Sequence, residues 1–362
     1  MTGIGIVGAG VILAQYRETL SHVPGIRVVA VADLDPGRTA DAAALFPGAR
    51  PATPDELYAD PAIDVVLNLT IPAAHADVAL AALAAGKDVY GEKPLAATLD
   101  QARKVTAAAA AAGRRVGCAP DTVLGTGVQT ARTVIAEGRI GRPVSATASF
   151  ISAGHESWHP NPDFYYLPGG GPVFDMGPYH LTALVHLLGP VAWVHAAGSR
   201  SRTTRTIGSG ARAGERIPVE VDTHVTGVLG HVSGALSTVT FSFDAVATRA
   251  APIEVHGTEG AMSVPDPNTF DGDVLVRGRD GDEWMPVPVA AGYEQAGRGI
   301  GLVDALAGAR RASGDLALHV LEIMTALTEG SPHRVDISSA PDAPPLVPFT
   351  PADAWRMIAE QP

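Results

Sequence analysis

Short β-rich segments alternate with segments of helical period along about the first 120 residues, and this alternation constrains the fold more than any other feature. Two of the intervening helices begin with capping boxes, Thr53-Pro54-Asp55-Glu56 and Thr98-Leu99-Asp100-Gln101. Because parallel strands are joined by right-handed crossovers, we expect a doubly wound α/β domain of the Rossmann type. The predicted strands are Ile4–Val7, Val28–Ala32, Val65–Thr70, Asp88–Tyr90 and Arg115–Cys118.

The turn after the first predicted strand reads Gly8-Ala9-Gly10, which is typical of a dinucleotide-binding turn. The third glycine of that pattern is replaced by Leu13. Asp33 ends the second predicted strand, where a carboxylate would bind ribose hydroxyls and repel a 2′-phosphate. The turn therefore predicts NAD as cofactor, with NADP disfavoured, although a nucleotide-free domain of the same shape stays open. The residues predicted here to bind the cofactor are Gly8, Gly10, Val11, Ile12 and Asp33.

Composition excludes several classes of protein. With a formal net charge of −12, the chain is a poor partner for nucleic acid. No uninterrupted apolar run reaches the roughly 20 residues that a membrane helix needs. A single cysteine, Cys118, excludes a disulfide framework and fits a reducing compartment. Because the N-terminal segment lacks the basic region of a secretion signal, we expect a cytoplasmic protein.

The remaining two thirds of the chain predict an α+β domain with a large, mostly antiparallel sheet. The predicted boundaries are 1–122 for the nucleotide domain, 123–345 for the second domain and 346–362 for a C-terminal segment. One face of the sheet would be free to meet another copy, so we expect a homodimer or homotetramer. A helix is predicted over Val128–Glu137, and strands over Val144–Ile151, Ala192–Ala197, Val219–Val228, Ala235–Phe243, Ile253–His256 and Val274–Arg277.

A glycine run, Gly169-Gly170-Gly171, leads into a helix that carries candidate catalytic side chains. Asp175 and Tyr179 are four residues apart, so both can point from one face of the helix. A carboxylate beside a phenol or an imidazole, here His180, could move a proton to or from a sugar hydroxyl. A glycine-rich loop with a capping Asp and two core aromatics is the alternative.

The segment before this glycine run mixes aromatic and polar side chains, as sugar-binding pockets do. Aromatic rings stack on the apolar faces of sugars, while imidazole and carboxylate groups bind hydroxyls. A surface loop packed by its own aromatics is the alternative. The loose spacing of its histidines and acids argues against metal, so we predict none. The residues predicted to bind substrate are His155, Trp158, His159, Phe164, Tyr165 and Asp175.

Five arginines follow in a segment rich in Gly, Ser and Thr. They could grip a phosphate on the substrate. The sequence favours a solvated loop between strands instead. A late histidine, His319, lies among apolar neighbours and is predicted to be a core residue. The five arginines are Arg200, Arg202, Arg205, Arg212 and Arg216.

Four motifs in this order resemble the Gfo/Idh/MocA family, which includes glucose–fructose oxidoreductase and inositol dehydrogenase. They are Thr70-Ile71-Pro72 with His75, Gly91-Glu92-Lys93-Pro94, the Gly169–His180 segment, and Glu254-Val255-His256-Gly257-Thr258-Glu259-Gly260. The resemblance runs from residue 4 to about residue 330. It implies a two-domain oxidoreductase with its active site between the domains and with Thr70, Pro72, His75, Glu92 and Lys93 on the cofactor side.

The resemblance also implies individual roles. Lys93 would contact the nicotinamide ribose and substrate, with a cis Lys93–Pro94 bond turning it into the cleft. The family usually carries a histidine four residues after the Asp that matches Asp175, and that position is Tyr179 here. Since Leu187-Leu188-Gly189 keeps the family's spacing, the acid/base role is carried to Tyr179, with His180 as the alternative. The pKa of a phenol is ordinarily near 10, so Tyr179 would need a nearby cation such as Lys93.

The leading hypothesis is an NAD-dependent oxidoreductase that acts on a secondary alcohol or ketone of a sugar, cyclitol or glycoside. The resemblance supplies this substrate class, and the residues themselves supply only a polar–aromatic pocket. Two alternatives stay open. One is a tightly bound NAD used for transient oxidation during glycoside cleavage or elimination. The other is a non-catalytic nucleotide-binding protein, which the tyrosine at position 179 would allow.

Overall fold

A computed structural model of the chain describes residues 1–331 and 333–357, which form two compact units. The first unit contains Met1–Thr126, Ala291–Leu318 and the described residues from Pro344 onward. The second contains Gly127–Ala290 and His319–Ala343. The chain first passes from one unit to the other after Thr126, and the boundary at residue 122 stays a prediction.

The segment Ala291–Leu318 was expected in the second domain and lies in the first unit instead. A buried carboxylate explains the difference. Asp121 Oδ2 accepts hydrogen bonds from the backbone N–H groups of Gly299 (2.8 Å) and Gly301 (3.1 Å), so this distant segment pairs with one oxygen of the buried carboxylate. The predicted C-terminal segment also packs in this unit, where Trp355 Nε1 donates to the Glu294 carbonyl at 2.9 Å. Residues 358–362 of that segment lie outside the described residues.

The first unit is built on a six-stranded parallel sheet with the order β3-β2-β1-β4-β5-β6. The central strand β1 is buried along nearly its whole length, as strands covered on both faces are. Both predicted capping boxes form, at Thr53 and Thr98. Its elements up to residue 118 are β1 (Thr2–Val7), α1 (Leu13–Ser21), β2 (Ile26–Ala32), α2 (Pro36–Ala43), β3 (Arg50–Pro51), α3 (Pro54–Ala59), β4 (Val65–Asn68), α4 (Pro72–Ala84), β5 (Asp88–Gly91), α5 (Leu99–Ala112) and β6 (Val116–Cys118).

The second unit is an α+β domain, as predicted. Its elements up to residue 286 are α6 (Thr126–Ala136), β7 (Pro143–Ile151), α7 (Gly171–Leu188), β8 (Val191–Ser199), β9 (Thr204–Thr206), β10 (Arg216–Pro218), β11 (His224–His231), β12 (Leu236–Ser242), β13 (Ile253–Gly257), β14 (Gly260–Val264), β15 (Leu275–Gly278) and β16 (Met285–Pro286). The later elements of the chain are α8 (Ile300–Leu306), α9 (Gly314–Thr328), β17 (Val335–Asp336) and α10 (Ala352–Arg356).

The large sheet of the second unit has nine strands in the order β16-β15-β14-β13-β7-β12-β11-β8-β17. Its strands pair antiparallel except for β7 with β12, so the prediction of a mostly antiparallel sheet is confirmed. Helix α7 packs against β7, β11 and β12. The sheet therefore supports the helix that carries Asp175 and Tyr179.

One predicted strand, Val219–Val228, begins too early. The structure places β10 before it and begins β11 only at His224. The Val219 N–H donates to the Thr203 carbonyl, and the Thr223 N–H donates to the Ser199 carbonyl. The alternating pattern therefore spans a connection between two strands. Among the described residues, no helix is long and apolar enough to span a bilayer.

Candidate functional site

In the first unit, the turn between β1 and α1 places two glycines, which carry no side chain, at the carboxyl edge of the parallel sheet. Gly8 has φ +101°, and a Cβ atom there would lie 2.6 Å from the Leu69 carbonyl, so only glycine fits. A Cβ atom at Gly10 would point into open space. Helix α1 follows without a side-chain cap on its first turn. The N-terminus of a helix, with its partial positive charge, can bind the phosphates of a nucleotide.

Asp33, directly after β2, is tied to this turn. Its Oδ2 accepts a hydrogen bond from the Ala9 N–H at 2.8 Å, and its Oδ1 accepts one from the Asp35 N–H at 3.0 Å. The exposed guanidinium of Arg38 lies 3.4 Å from Oδ1. The carboxylate is therefore held beside the glycine turn with a cation next to it.

Three large apolar side chains are exposed in the loops that follow β1, β2 and β4. Val11 is 96% exposed, Leu34 97% and Ile71 69%. Parallel strands present such loops at one edge of the sheet, where doubly wound folds bind nucleotides. Exposed apolar side chains at such an edge suit the faces of a planar base and a ribose. Together with the bare turn and Asp33, these residues fit a dinucleotide.

Lys93 follows β5 and is half-buried. Its peptide bond to Pro94 is cis, as the resemblance implied. The neighbouring Glu92 is buried, and its carboxylate accepts hydrogen bonds from the Tyr16 hydroxyl (2.9 Å) and from the Lys93 N–H (3.0 Å). Glu92 thus holds the backbone of Lys93 in place.

His75 connects the loop after β4 to the Lys93–Pro94 segment. The imidazole is buried, and its two nitrogens face the carbonyl oxygens of Pro94 (2.6 Å) and Thr70 (3.0 Å). Thr70 in turn donates its hydroxyl to Asn68 Oδ1 at 2.6 Å. These contacts support His75 as a residue that shapes the edge, whereas Pro72 at the start of α4 is exposed there.

Helix α7 of the second unit carries the predicted catalytic side chains. Asp175 is half-buried, Tyr179 is buried one turn later, and His180 is buried beside it. The His180 ring packs against Phe150 and Phe241, and its Nδ1 lies 3.1 Å from the Met176 carbonyl. Burial lowers the pKa of His180. This placement supports a packing role for His180 and leaves Asp175 and Tyr179 as the candidates on the helix.

The predicted substrate-binding residues gather around Asp175. His155 Nε2 lies 2.8 Å from Asp175 Oδ2. Burial, with Asp175 nearby, raises the pKa of Tyr165 to about 12. Trp158 is 58% exposed and Phe164 56%, so their rings are available for stacking. Ring contacts join the set: His155 to Trp158 and Tyr165, and His159 to Trp158, Phe164 and Tyr165.

A buried arginine binds this loop through several hydrogen bonds. Arg205 was predicted to lie in a solvated loop, but it is buried on β9. Its guanidinium donates to Glu156 Oε1 (2.7 Å) and Asp244 Oδ1 (2.5 Å), and to the carbonyls of Ala153 and Phe243 (both 2.8 Å). The prediction failed because its partners lie 49 and 39 residues away in sequence and leave no local signal.

These contacts also bear on the phosphate alternative. Arg205 is committed to two carboxylates, and Arg212 pairs with Asp163 and Glu215. Neither guanidinium is placed as a phosphate site. In residues 1–331 and 333–357, no three metal-binding side chains of His, Cys, Asp or Glu lie close enough to hold an ion.

Comparison with known proteins adds two family matches. Residues 2–119 match the oxidoreductase family with an NAD-binding Rossmann fold, and residues 128–263 match the GFO/IDH/MocA C-terminal domain. The chain is 30% identical over 306 residues to 1,5-anhydro-D-fructose reductase from Ensifer adhaerens, covering 81% of this chain and 85% of that enzyme. It is 42% identical over 113 residues to inositol 2-dehydrogenase 2 from Saccharopolyspora erythraea, covering 31% and 33% of the two chains.

The fold has relatives among solved structures. A crystal structure of an NAD binding oxidoreductase from Klebsiella pneumoniae superposes with a TM-score of 0.76 and 26% sequence identity. The match covers 93% of this chain and 99% of that chain. Both units are therefore shared with a protein of this class.

Proposed function

The chain belongs to the Gfo/Idh/MocA family of NAD-binding oxidoreductases, and from this premise we propose that it interconverts a secondary alcohol and a ketone on a sugar, cyclitol or glycoside. NAD, when bound, exchanges a hydride with the carbon that carries the hydroxyl. The relatives named for anhydrofructose and inositol support this substrate class.

The first unit is assigned to the cofactor. The bare turn at Gly8 and Gly10 would receive the pyrophosphate, and Asp33 would accept hydrogen bonds from the adenosine ribose hydroxyls. Val11 and Leu34 would cover the faces of the nucleotide. Lys93, whose backbone Glu92 fixes, would bind the nicotinamide ribose and the substrate oxygen.

The observation that carries the proposal for the second unit is the Asp175 carboxylate with an imidazole bonded to it and aromatic rings around it. The exposed rings of Trp158 and Phe164 offer stacking surfaces for the apolar face of a sugar. Asp175 and Tyr179, one turn apart on α7, would bind the hydroxyl that is oxidised. A carboxylate and a phenol suit such a hydroxyl because one accepts a hydrogen bond and the other can donate or accept.

Steady-state assays of NADH absorbance test the proposal. Purified protein would be given 1,5-anhydro-D-fructose with NADH, and in parallel myo-inositol and related cyclitols and sugars with NAD. We expect turnover of at least one compound, with loss of rate in Asp175→Asn. Failure of every compound, while NAD still quenches protein fluorescence, would support the non-catalytic alternative. Conversion of a glycoside without net NADH would instead indicate transient oxidation.

We further infer a homo-oligomer that associates through the open face of the nine-stranded sheet. Along β11 and β12, partly exposed side chains alternate with buried ones, so one face of these strands is covered and the other is not. Light scattering coupled to size exclusion would give the stoichiometry, with a dimer or tetramer expected. A cytoplasmic location is also inferred, because a reducing compartment suits the single buried thiol of Cys118.

A further inference from the structure

We propose that His155, oriented by Asp175, is the residue that takes the proton from the substrate hydroxyl, an inference that rests on the proposed function. From the sequence, His155 is predicted only to bind substrate, and Tyr179 is predicted to be the acid/base. The two residues come from different elements, since His155 lies in the loop after β7 and Tyr179 on α7. The contacts around the imidazole favour the loop residue.

The imidazole is bound through one nitrogen and open at the other. Nε2 lies 2.8 Å from Asp175 Oδ2, and since a carboxylate only accepts, the contact assigns the proton to Nε2 in the neutral ring. Nδ1 then carries the lone pair. Among the described residues Nδ1 has no hydrogen-bond partner, and it is not sealed from solvent. A base needs this arrangement, with one nitrogen fixed and the other accessible.

The position of the ring is fixed from several sides. The His155 N–H donates to the Tyr166 hydroxyl at 3.1 Å. The ring packs against Tyr165 (4.4 Å between centroids), Phe243 (4.7 Å) and Trp158 (5.2 Å). An aromatic enclosure of this kind restricts the rotamers of the imidazole and keeps Nε2 on Asp175.

The ionisable groups near the imidazole come from α7, from a 3₁₀ turn, from β9 and from the loop itself. Asp175 faces it from α7, and the Tyr165 phenol faces it from the single 3₁₀ turn at Asp163–Tyr165. Behind its backbone, the Tyr166 hydroxyl donates to Glu156, whose charge is balanced by Arg205 on β9 at 2.7 Å. Asp175 is thus the charge that contacts the ring, and it stabilises the imidazolium that forms.

The step balances with the cofactor of the proposed function. The hydride of the carbinol carbon goes to NAD⁺, the hydroxyl proton goes to Nδ1 of His155, and the C–O single bond becomes C=O. In reduction the imidazolium returns the proton. An imidazole ordinarily titrates near pH 6.5 and a phenol near pH 10, so the imidazole is the better match to neutral pH.

Substitutions separate the two candidates. With 1,5-anhydro-D-fructose and NADH, or whichever compound of the panel the native protein turns over, His155→Asn should lower kcat about 10²–10⁴-fold. His159→Asn, in the same loop, should change KM more than kcat. In oxidation the native rate should fall at acid pH, because the base must be neutral; in reduction it should fall at alkaline pH, because the acid must carry its proton. Both limbs should disappear in His155→Asn and persist in Tyr179→Phe.

A labelling experiment adds a readout that does not depend on turnover. Diethyl pyrocarbonate acylates an imidazole through an accessible lone pair, and mass spectrometry locates the label. His155 should react much faster than buried His180, whose Nδ1 is bonded to Met176, and exposed His195 should also react fast. Asp175→Asn should leave His155 reactive but lower kcat, since it removes the charge that orients the imidazole.

The outcomes are distinct. If the native protein turns over a compound and His155→Asn keeps its rate and both limbs, or if His155 resists labelling as His180 does, the inference is wrong while the proposed function stands. If Tyr179→Phe alone abolishes the limbs, the proton belongs to Tyr179. If the native protein turns over nothing, the proposed function fails, and the catalytic role of His155 fails with it.

Discussion

At the scale of residues, we predict that Asp33 favours NAD over NADP and that Arg38 can bind the 2′-phosphate of NADP once Asp33 is replaced. The carboxylate is bonded to the Ala9 N–H at 2.8 Å, and the guanidinium lies 3.4 Å from its other oxygen. We predict that Asp33→Ser tightens NADP binding roughly tenfold or more, since the freed Arg38 can pair with the 2′-phosphate. NAD binding should weaken in the same variant. Fluorescence titration with both cofactors measures the two changes.

A double variant provides the control for this prediction. Asp33→Ser combined with Arg38→Ala should lose the gain in NADP affinity while keeping the loss in NAD affinity. Tighter binding of NADP than of NAD by the native protein would contradict the role assigned to Asp33.

Lys93 is predicted to act on rate and not on stability. The side chain is half-buried at the carboxyl end of β5, and its backbone N–H donates to the Glu92 carboxylate. Lys93→Ala should therefore lower kcat by about 10² or more and leave the melting temperature nearly unchanged. Lys104→Ala, an exposed lysine on α5, is the matched control and should change neither. A collapse of the melting temperature in Lys93→Ala would mean that the lysine is structural.

At the scale of elements, the loop that carries His155 depends on one buried guanidinium. Arg205 donates to two carboxylates and two carbonyls, which a forked group can do and a single ammonium cannot. Arg205→Met leaves Glu156 and Asp244 without their cation and should reduce the free energy of unfolding by about 3–5 kcal/mol. Arg205→Lys should recover only part of this. Urea unfolding followed by tryptophan fluorescence would measure both.

Arg212→Lys is the comparison for this prediction, because Arg212 also bridges two carboxylates, Asp163 and Glu215, but at the surface. Solvent screens such a pair, so the stability should change far less than in Arg205→Lys. Equal losses in the two variants would show that burial is not what makes Arg205 important.

Elements with a local cause could be predicted from sequence. The helices at Thr53 and Thr98 begin at capping boxes, because the side chains and backbone N–H groups of two residues three positions apart bond to each other. The parallel sheet follows from short apolar strands separated by helices. The strand predicted over Val219–Val228 begins five residues before β11, because alternation cannot distinguish a strand from the connection that enters it.

Pairs that are distant in sequence could not be predicted. The contact of His155 with Asp175 spans 20 residues, and that of Arg205 with Glu156 spans 49. Each depends on how β7, α7 and β9 pack, which no spacing encodes. The segment Ala291–Leu318 lies in the first unit, where its backbone donates to the buried Asp121 carboxylate. This contact is also between residues that are distant in sequence. The residues of the candidate site could therefore be recognised in the sequence by their chemical type, but which of them contact each other could be seen only in the structure.

At the scale of the whole molecule, two buried groups on α9 give stability a dependence on acid. His319 is fully buried, accepts a hydrogen bond from the Val191 N–H at 3.0 Å and contacts the Ser339 hydroxyl at 2.9 Å. Burial, as the main cause, lowers the pKa of His319 to about 4. The prediction of a core histidine is thus confirmed.

The sign follows from where the proton binds first. In the unfolded chain a histidine ordinarily titrates near 6.5, so below that pH the unfolded state takes up a proton that folded His319 refuses until about 4. Stability should be complete above pH 6.5 and should fall by up to about 3 kcal/mol as pH drops to 4. Urea unfolding at a series of pH values would measure the fall.

Two variants separate this contribution from the general effect of acid. His319→Gln cannot titrate, so its stability should be flatter between pH 6.5 and 4 than that of the native chain. Glu322 acts in a lower window: burial raises its pKa, but hydrogen bonds from Ser338 and Ser339 outweigh burial and lower it to about 2. Its contribution is therefore present above about pH 4.5 and is lost toward 2, so Glu322→Gln should leave the slope between 6.5 and 4.5 intact. If the free energy of unfolding of His319→Gln falls between pH 6.5 and 4 as steeply as that of the native chain, groups other than His319 cause the loss of stability.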